Sequence, residues 1–236
     1  MKKSLYILFF TIALSLSSCN NEDFLWQDAT YARIYGPKEW TLETDSLIFS
    51  FAPYNTSIKE YVINAKIFII GSVSKIPLTV RIEVDPASTA STSHYSFPES
   101  VTIPAGSHFV EFPISLKRTS DLTSKQVKLI LRISDSGDIG KGVKEFNQLK
   151  LTWSDMISKP TNWTLLTEFF GNYSNTKYRF IIDVLGIGIF TYGETNGMTW
   201  GEMNYYRMKM IEALTAYNAA HPGNPLTDEN NQIVTF

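Results

Sequence analysis

Any chemistry in this 236-residue chain has to come from a short set of side chains. Its three imidazoles are His94, His108 and His221, and no two stand at the i, i+4 spacing that puts two ligands on one helix face. A zinc site needs three or four converging ligands, so these read as surface or loop histidines. Asp135-Ser136-Gly137-Asp138-Ile139-Gly140 sets two carboxylates on a tight turn, which is the hard-oxygen chemistry of calcium. It lacks the spacing of a helix-flanked calcium loop, and Asp with Gly is ordinary turn chemistry. Gly137, Gly140 and Gly142 precede no capped helix, and Gly186-Ile187-Gly188 follows a helical pattern, so neither forms a dinucleotide cradle. A G-x-S-x-G nucleophile elbow is absent from the sequence. Glu194 and Glu202 flank an aromatic stretch, but a glycosidase needs two acids converging in a cleft, and spacing alone gives two solvated acids. No catalytic residue, metal ligand or cofactor site is assigned.

Aromatic side chains are the better candidates. Trp153, Trp163 and Trp200 cluster in the last third of the chain with Tyr173, Tyr192, Tyr205 and Tyr206. Flat aromatic faces on a rigid platform can stack on sugar rings, whereas buried aromatics dominate core energetics. Trp153 and Trp163 are expected to be buried, cementing a β-rich part to a helical one. Trp200 lies between Gly197 and Gly201 in an expected loop, so Trp200, Tyr192 and Tyr205 are the candidate ligand contacts.

The one cysteine, Cys19, excludes an internal disulfide framework and a cysteine-rich zinc site. The balance of 21 Lys+Arg against 23 Asp+Glu gives no basic footprint for nucleic acid. Lys2 and Lys3 precede an apolar run from Leu5 to Leu16, too short to span a bilayer as a helix and suited to a signal peptide. Leu16-Ser17-Ser18-Cys19 resembles a bacterial lipobox, in which the thiol is acylated and the chain is cut before it. The resemblance implies a signal peptide over residues 1–18 and a partner in the lipid bilayer through acylated Cys19. Acyl chains contribute about 0.8 kcal/mol per buried CH₂, and two or more anchor stably. Residues 19–30, rich in Asn, Asp and Glu, read as the tether.

The elements that must position these residues divide at about residue 155. Leu78, Val80, Ile82 and Val84 alternate with Thr79, Arg81 and Glu83, then Val110, Phe112, Ile114 and Leu116 with Glu111, Pro113 and Ser115, then Val127, Leu129, Leu131 and Ile133 with Lys128, Ile130 and Arg132, then Leu149, Leu151 and Trp153 with Lys150 and Thr152. A period of two marks half-buried strands. Runs at 31–35, 46–51 and 61–70 bring the expected count to about seven. Asp85-Pro86, Pro104-Ala105-Gly106 and Ser134-Asp135-Ser136-Gly137 are turns between them. The expected fold is an all-β antiparallel immunoglobulin-like sandwich over residues 31–155 with Greek-key connections. Pro113 should lie at an edge or bulge, because it has no N–H to give.

A smaller α-helical C-terminal segment is expected over residues 156–236. Tyr178, Ile181, Ile182 and Leu185 fall on one helical face, with Ser174 as N-cap and Gly186 as the stop. A second helix is predicted over 201–219 with Met203, Tyr206, Met210, Leu214 and Tyr217 as its stripe, ended by His221-Pro222-Gly223. Ile233, Val234 and Phe236 are apolar enough to pack back.

These parts together resemble a group of Bacteroidetes outer-membrane lipoproteins of unknown function. The shared motifs are Thr102-Ile103-Pro104-Ala105-Gly106, Lys159-Pro160-Thr161-Asn162-Trp163, Gly171-Asn172-Tyr173-Ser174 and Lys177-Tyr178-Arg179-Phe180-Ile181. Genes of the group commonly sit beside starch-utilisation-type nutrient-uptake systems, so the resemblance implies an accessory role in extracellular glycan binding or uptake. The alternative reading is a protein–protein docking module for an outer-membrane transporter complex, and a third, less favoured one is a cryptic hydrolase. Glu22 and Asp23 resemble the export signal of surface-exposed lipoproteins, which implies a lipid-anchored place on the outer membrane facing outward. The group supplies no catalytic residue.

Overall fold

A computed structural model describes residues 30–37, 45–142 and 146–236. The expected signal peptide, Cys19 and nearly all of the tether lie outside them. Among the described residues the first part contains ten strands: β1 (Tyr31–Tyr35), β2 (Ser46–Ser50), β3 (Glu60–Ile70), β4 (Leu78–Val84), β5 (Tyr95–Ser96), β6 (Ser100–Ile103), β7 (Phe109–Lys117), β8 (Val127–Ile133), β9 (Gly140–Lys141) and β10 (Gln148–Ser154). They form two five-stranded sheets, ordered β5-β7-β3-β1-β9 and β2-β10-β8-β4-β6.

The sandwich follows from the alternation. Ile63, Ala65, Ile67 and Ile69 of β3 face Phe112, Ile114 and Leu116 of the neighbouring β7 on one wall of the core. Leu129, Leu131 and Ile133 of β8 with Leu149, Leu151 and Trp153 of β10 form the opposite wall. Burying each such aliphatic side chain stabilises by about 1.5–3 kcal/mol. The sheets are mixed: β9 joins β1, and β2 joins β10, in parallel. Periodicity shows which face a residue occupies but not which way its neighbour runs. Three short strands, β5, β6 and β9, are absent from the sequence reading because two to four residues cannot establish a period. Pro113 pairs with Asn64 of β3, while β5 reaches only Leu116 and Ser115 on the other side of β7. The proline thus lies along the uncovered stretch of an outer strand.

The second part contains α1 (Trp163–Phe170), α2 (Asn175–Leu185) and α3 (Trp200–Ala220). The Ser174 hydroxyl accepts the Lys177 N–H at 3.1 Å, and Gly186 closes α2 in the left-handed region at φ 68°. Helix α3 begins with a capping box, in which Thr199 Oγ1 accepts the Glu202 N–H and Glu202 Oε2 accepts the Thr199 N–H. Helix α1 was not expected from sequence. Among the described residues no helix is long and apolar enough to cross a membrane. The helices share their own core of Trp163, Leu166, Phe169, Phe170, Tyr178, Ile181, Ile182, Met203 and Met210. Val234 is buried and Phe236 packs against Phe170 and Phe180, whereas Ile233 stays exposed. Glu229 in this tail accepts the N–H groups of Asn175 and Thr176 at the start of α2.

The expectation that Trp153 and Trp163 cement the two parts is corrected. Trp153 is buried inside the sandwich and Trp163 inside the helical core. The junction is polar instead. The carboxylate of Asp155, just past β10, takes two bonds from Arg118, just past β7, and one from Arg179 of α2. Arg118 also donates to the Asn55 carbonyl, Arg179 to the Ala52 carbonyl, and Asp183 Oδ1 accepts the Thr56 N–H. The helical part is thereby fixed to the loop between β2 and β3.

Candidate functional site

The helical part positions the candidate aromatic contacts. Phe169 in the last turn of α1 is the shared support: the Tyr192 ring meets it edge-on at 5.0 Å between centroids, and the Trp200 ring at 6.3 Å. The Trp200 indole N–H donates to Glu168 Oε1 at 2.9 Å. Trp200 is therefore the first residue of α3 and not a loop residue, because the Thr199–Glu202 capping box starts the helix just before it. Its ring is held at edge and N–H, yet the residue remains 55% exposed. The loop from α2 to α3 is close-packed. A Cβ on Gly197 would sit 1.9 Å from the Thr191 carbonyl oxygen, and Thr191 Oγ1 accepts the Met198 N–H.

Tyr205 does not join this pair. Five residues along a helix turn about 140° around its axis, and Tyr205 instead lies against Tyr206 and beneath the Lys209 ammonium, 4.9 Å from its ring. The structure thus brings Tyr192 and Trp200 together and leaves Tyr205 as a separate exposed ring.

Two clefts flank the polar junction. One, of about 370 Å³, lies between Pro53, the 156–162 segment and the loop carrying Phe190 and Glu194. The Tyr178 hydroxyl there donates to the Gly188 carbonyl, and burial pushes its pKa up to about 12. The other, of about 380 Å³, is bordered by Asp155, Arg179 and Asp183. Their charges are engaged with each other and with the Thr56 N–H, so this cleft presents no carboxylate pair free for acid–base work. Glu202 is likewise committed. The Thr199 N–H and hydroxyl hold its carboxyl below the usual range.

Two sequence candidates change character in three dimensions. His94 is in a loop as expected, but it is buried, only 3% exposed. Its Nδ1 accepts the Ser91 N–H at 2.9 Å and lies 2.7 Å from Ser91 Oγ, while Nε2 is 3.0 Å from Asp121 Oδ2. Ser, His and Asp stand in line, but the Ser91 backbone N–H occupies the lone pair a general base would need. That bond also assigns the proton to Nε2, where it is donated to Asp121. The Thr119 hydroxyl, the Lys125 ammonium and His94 hold the Asp121 carboxyl well below the usual range. The arrangement pins a loop. In the Asp135–Gly140 turn, Asp135 pairs with Lys141 at 2.6 Å and Asp138 accepts the Thr79 N–H at 2.7 Å. Among the described residues no group of three or more His, Cys, Asp or Glu could hold a metal. His108 stacks on Phe68, and His221 caps the end of α3 through the Tyr217 carbonyl.

Comparison with known proteins places the chain by family. A search of the curated proteins finds no match. Among solved structures, a candidate carbohydrate-binding protein of Bacteroides ovatus is similar at 11% identity and TM-score 0.38 over 53% of this chain and 37% of its own. A B. ovatus protein of unknown function is similar at 17% identity and TM-score 0.39, over 57% and 46%. The CBD1 domain of Calx, in its apo form, is similar at 12% identity and TM-score 0.35, over 52% and 96%. This chain spans less than half the length of those Bacteroides proteins. The profile of a domain of unknown function, DUF4843, matches residues 24–187, from the tether through the end of α2, and the chain belongs to that family.

Proposed function

We propose that this protein is a lipoprotein anchored to the outer membrane through acylated Cys19, facing outward, and that it is a non-catalytic accessory in the binding of an extracellular glycan. The observation that carries the binding part is the Trp200 ring. Its N–H is held by Glu168 and its edge by Phe169, with Tyr192 on the same support, and over half of the residue stays open to solvent. A ring fixed in this way gives up little conformational entropy when a flat apolar sugar face settles on it. The Glu168 carboxylate, held against the indole N–H, is a polar group at the ring's edge that can meet a sugar hydroxyl. Strand direction adds a second support. The chain enters the sandwich at Tyr31, opposite Ile70, while the helical part sits at the other end, next to Lys59 and Arg118. The eleven residues of β3 at about 3.3 Å each separate the two ends by about 35 Å. With the Tyr31 end toward the bilayer, the helical part that carries Trp200 faces away from it.

The experiment is affinity electrophoresis of the protein against a panel of polysaccharides, beside Trp200→Ala. Retardation by one glycan, lost in Trp200→Ala, is the expected result. No retardation by any glycan, with co-purification of a membrane transporter, would replace this reading with the docking-module one. Anchoring is tested separately: Cys19→Ala should no longer partition with membranes after a high-salt wash.

A further inference from the structure

The end of the sandwich where the tether arrives carries an exposed aromatic face that the glycan reading does not use. Phe68 and Phe109 are direct cross-strand partners on the outer side of the β3–β7 pair, and Tyr31 opposes Ile70 one position farther along. Tyr31, Phe68 and Phe109 are 40–45% exposed, and Ile76, on the loop after β3, is 66% exposed. Alternation explains their direction, because the intervening Ile67 and Ile69 point into the core. Amphipathic side chains rim the face. The Lys66 ammonium lies 4.3 Å from the Phe109 ring centroid while pairing with Glu111 at 3.1 Å, and His108 stacks on Phe68. Asp135 and Asp138 at the same end are engaged by Lys141 and the Thr79 N–H.

We propose that this face, formed by Tyr31, Phe68, Ile76 and Phe109, seats in the headgroup region of the bilayer that holds the anchor, so that the protein stands on the membrane in one orientation. The inference rests on the Cys19 anchor. Chain length selects the occupant: Tyr31 follows Cys19 by a dozen residues, which reach at most about 40 Å when extended. An acylated Cys19 therefore keeps this end within reach of lipid at every extension of the tether, and the helical end only near full extension. Aromatic bodies with polar tips beside them partition to the membrane–water interface, and apolar contact adds to the attachment of an acyl anchor.

The test uses the full acylated protein in phosphatidylcholine–phosphatidylethanolamine vesicles that contain a lipid spin-labelled near its headgroup. With Cys19 acylated, an introduced cysteine is the free thiol, so an environment-sensitive fluorophore is placed at Lys75→Cys beside Ile76 or, on the far loop, at Thr195→Cys. The expected result is several-fold stronger quenching at residue 75 than at residue 195. In a Phe68→Ser/Phe109→Ser background that retains its melting transition, the quenching at 75 should fall while the protein still floats with the vesicles. Flotation with equal, weak quenching at both positions would overturn the seating and leave the anchor standing, as would quenching at 75 that ignores the double substitution. Failure to float at all would overturn the anchor and the seating together.

Discussion

Arg118 and Asp155 meet as a buried two-pronged ion pair, Nε to Oδ2 and Nη2 to Oδ1, both at 2.8 Å. Arg179 of α2 adds a third bond to Oδ1 at 2.9 Å. The carboxylate thus joins the ends of β7 and β10, which belong to different sheets, to the helical part. Removing the partner of a buried charge costs more than the pair contributes, because the remaining charge stays desolvated. Asp155→Ala strands two guanidinium groups and should lose about 3–5 kcal/mol in urea unfolding. Arg179→Met leaves the Arg118 pair in place and should lose about 1–3 kcal/mol. The sharper readout is limited proteolysis. Arg179→Met should expose the 156–162 segment to cleavage while the sandwich stays intact, and unchanged cleavage would mean the junction does not depend on this network.

Tyr178 should give the alkaline limb of stability a specific shape. Burial raises its pKa from 10.0 to about 12, so the folded state holds the phenol proton more tightly than the unfolded chain. The resulting stabilisation is complete below pH 10 and is lost as pH rises from 10 to 12. By pH 11 the loss is on the order of 1 kcal/mol relative to pH 9. Tyr178→Phe removes this slope and, at pH 7, costs about 1 kcal/mol for the bond to the Gly188 carbonyl. Urea titrations of both proteins at pH 9 and pH 11 check it. A slope unchanged in Tyr178→Phe would assign the limb to other groups.

Two glycines should respond to alanine in opposite directions. A Cβ on Gly188 would lie 2.4 Å from the Pro53 Cα and carbonyl oxygen, where the loop after α2 crosses the sandwich. Backbone cannot step aside, so Gly188→Ala should cost about 1–3 kcal/mol as overpacking and should loosen the junction. Gly201 lies in the first turn of α3, where an added Cβ would come no closer than 4.0 Å to Thr199 Oγ1. Gly201→Ala should stabilise by up to about 1 kcal/mol through helix propensity. Thermal melts of the two variants, falling and rising, are the measurement.

The sequence exposed what periodicity and end signals encode. The long strands were legible because Val, Ile, Leu and Phe alternate for five or more residues, and α2 because Ser174 and Gly186 bracket a four-residue stripe. Helix α1 was not, although Trp163, Leu166, Phe169 and Phe170 share one helical face. It has two turns, and Asn162 gives no cap because its side-chain amide donates to the Phe190 carbonyl. The start of α3 was legible to within one residue, but Gly197 and Gly201 made Trp200 read as a loop residue, although Thr199-x-x-Glu202 held the capping signal. The junction stayed hidden for a different reason. Arg118 and Arg179 lie 37 and 24 residues from Asp155, and no local rule links charges at that separation. Burial of His94 depends in the same way on Asp121, 27 residues away. For the aromatic site, residue type was legible and convergence was not: Tyr192 and Trp200 share a support only because Phe169 of the unexpected helix packs against both.

The contrast between Trp200 and Trp163 makes the binding reading testable apart from stability. Trp163 is buried, touches Phe170, Tyr173 and Tyr178, and donates its N–H to the Gly171 carbonyl at 3.1 Å. Trp163→Ala should cost about 3–5 kcal/mol, the range for emptying an aromatic site in a core. Trp200 is open over half its surface, and its bond to Glu168 is exposed. Trp200→Ala should therefore cost only about 1 kcal/mol. A side chain kept for packing would not be so nearly dispensable to the fold. The expected pattern is a small shift in the urea midpoint of Trp200→Ala together with complete loss of glycan retardation, and Trp200→Phe should restore part of the retardation because a flat ring remains. If Trp200→Ala unfolds like Trp163→Ala, the ring is a core residue of the helical part and the platform must be sought at Tyr205.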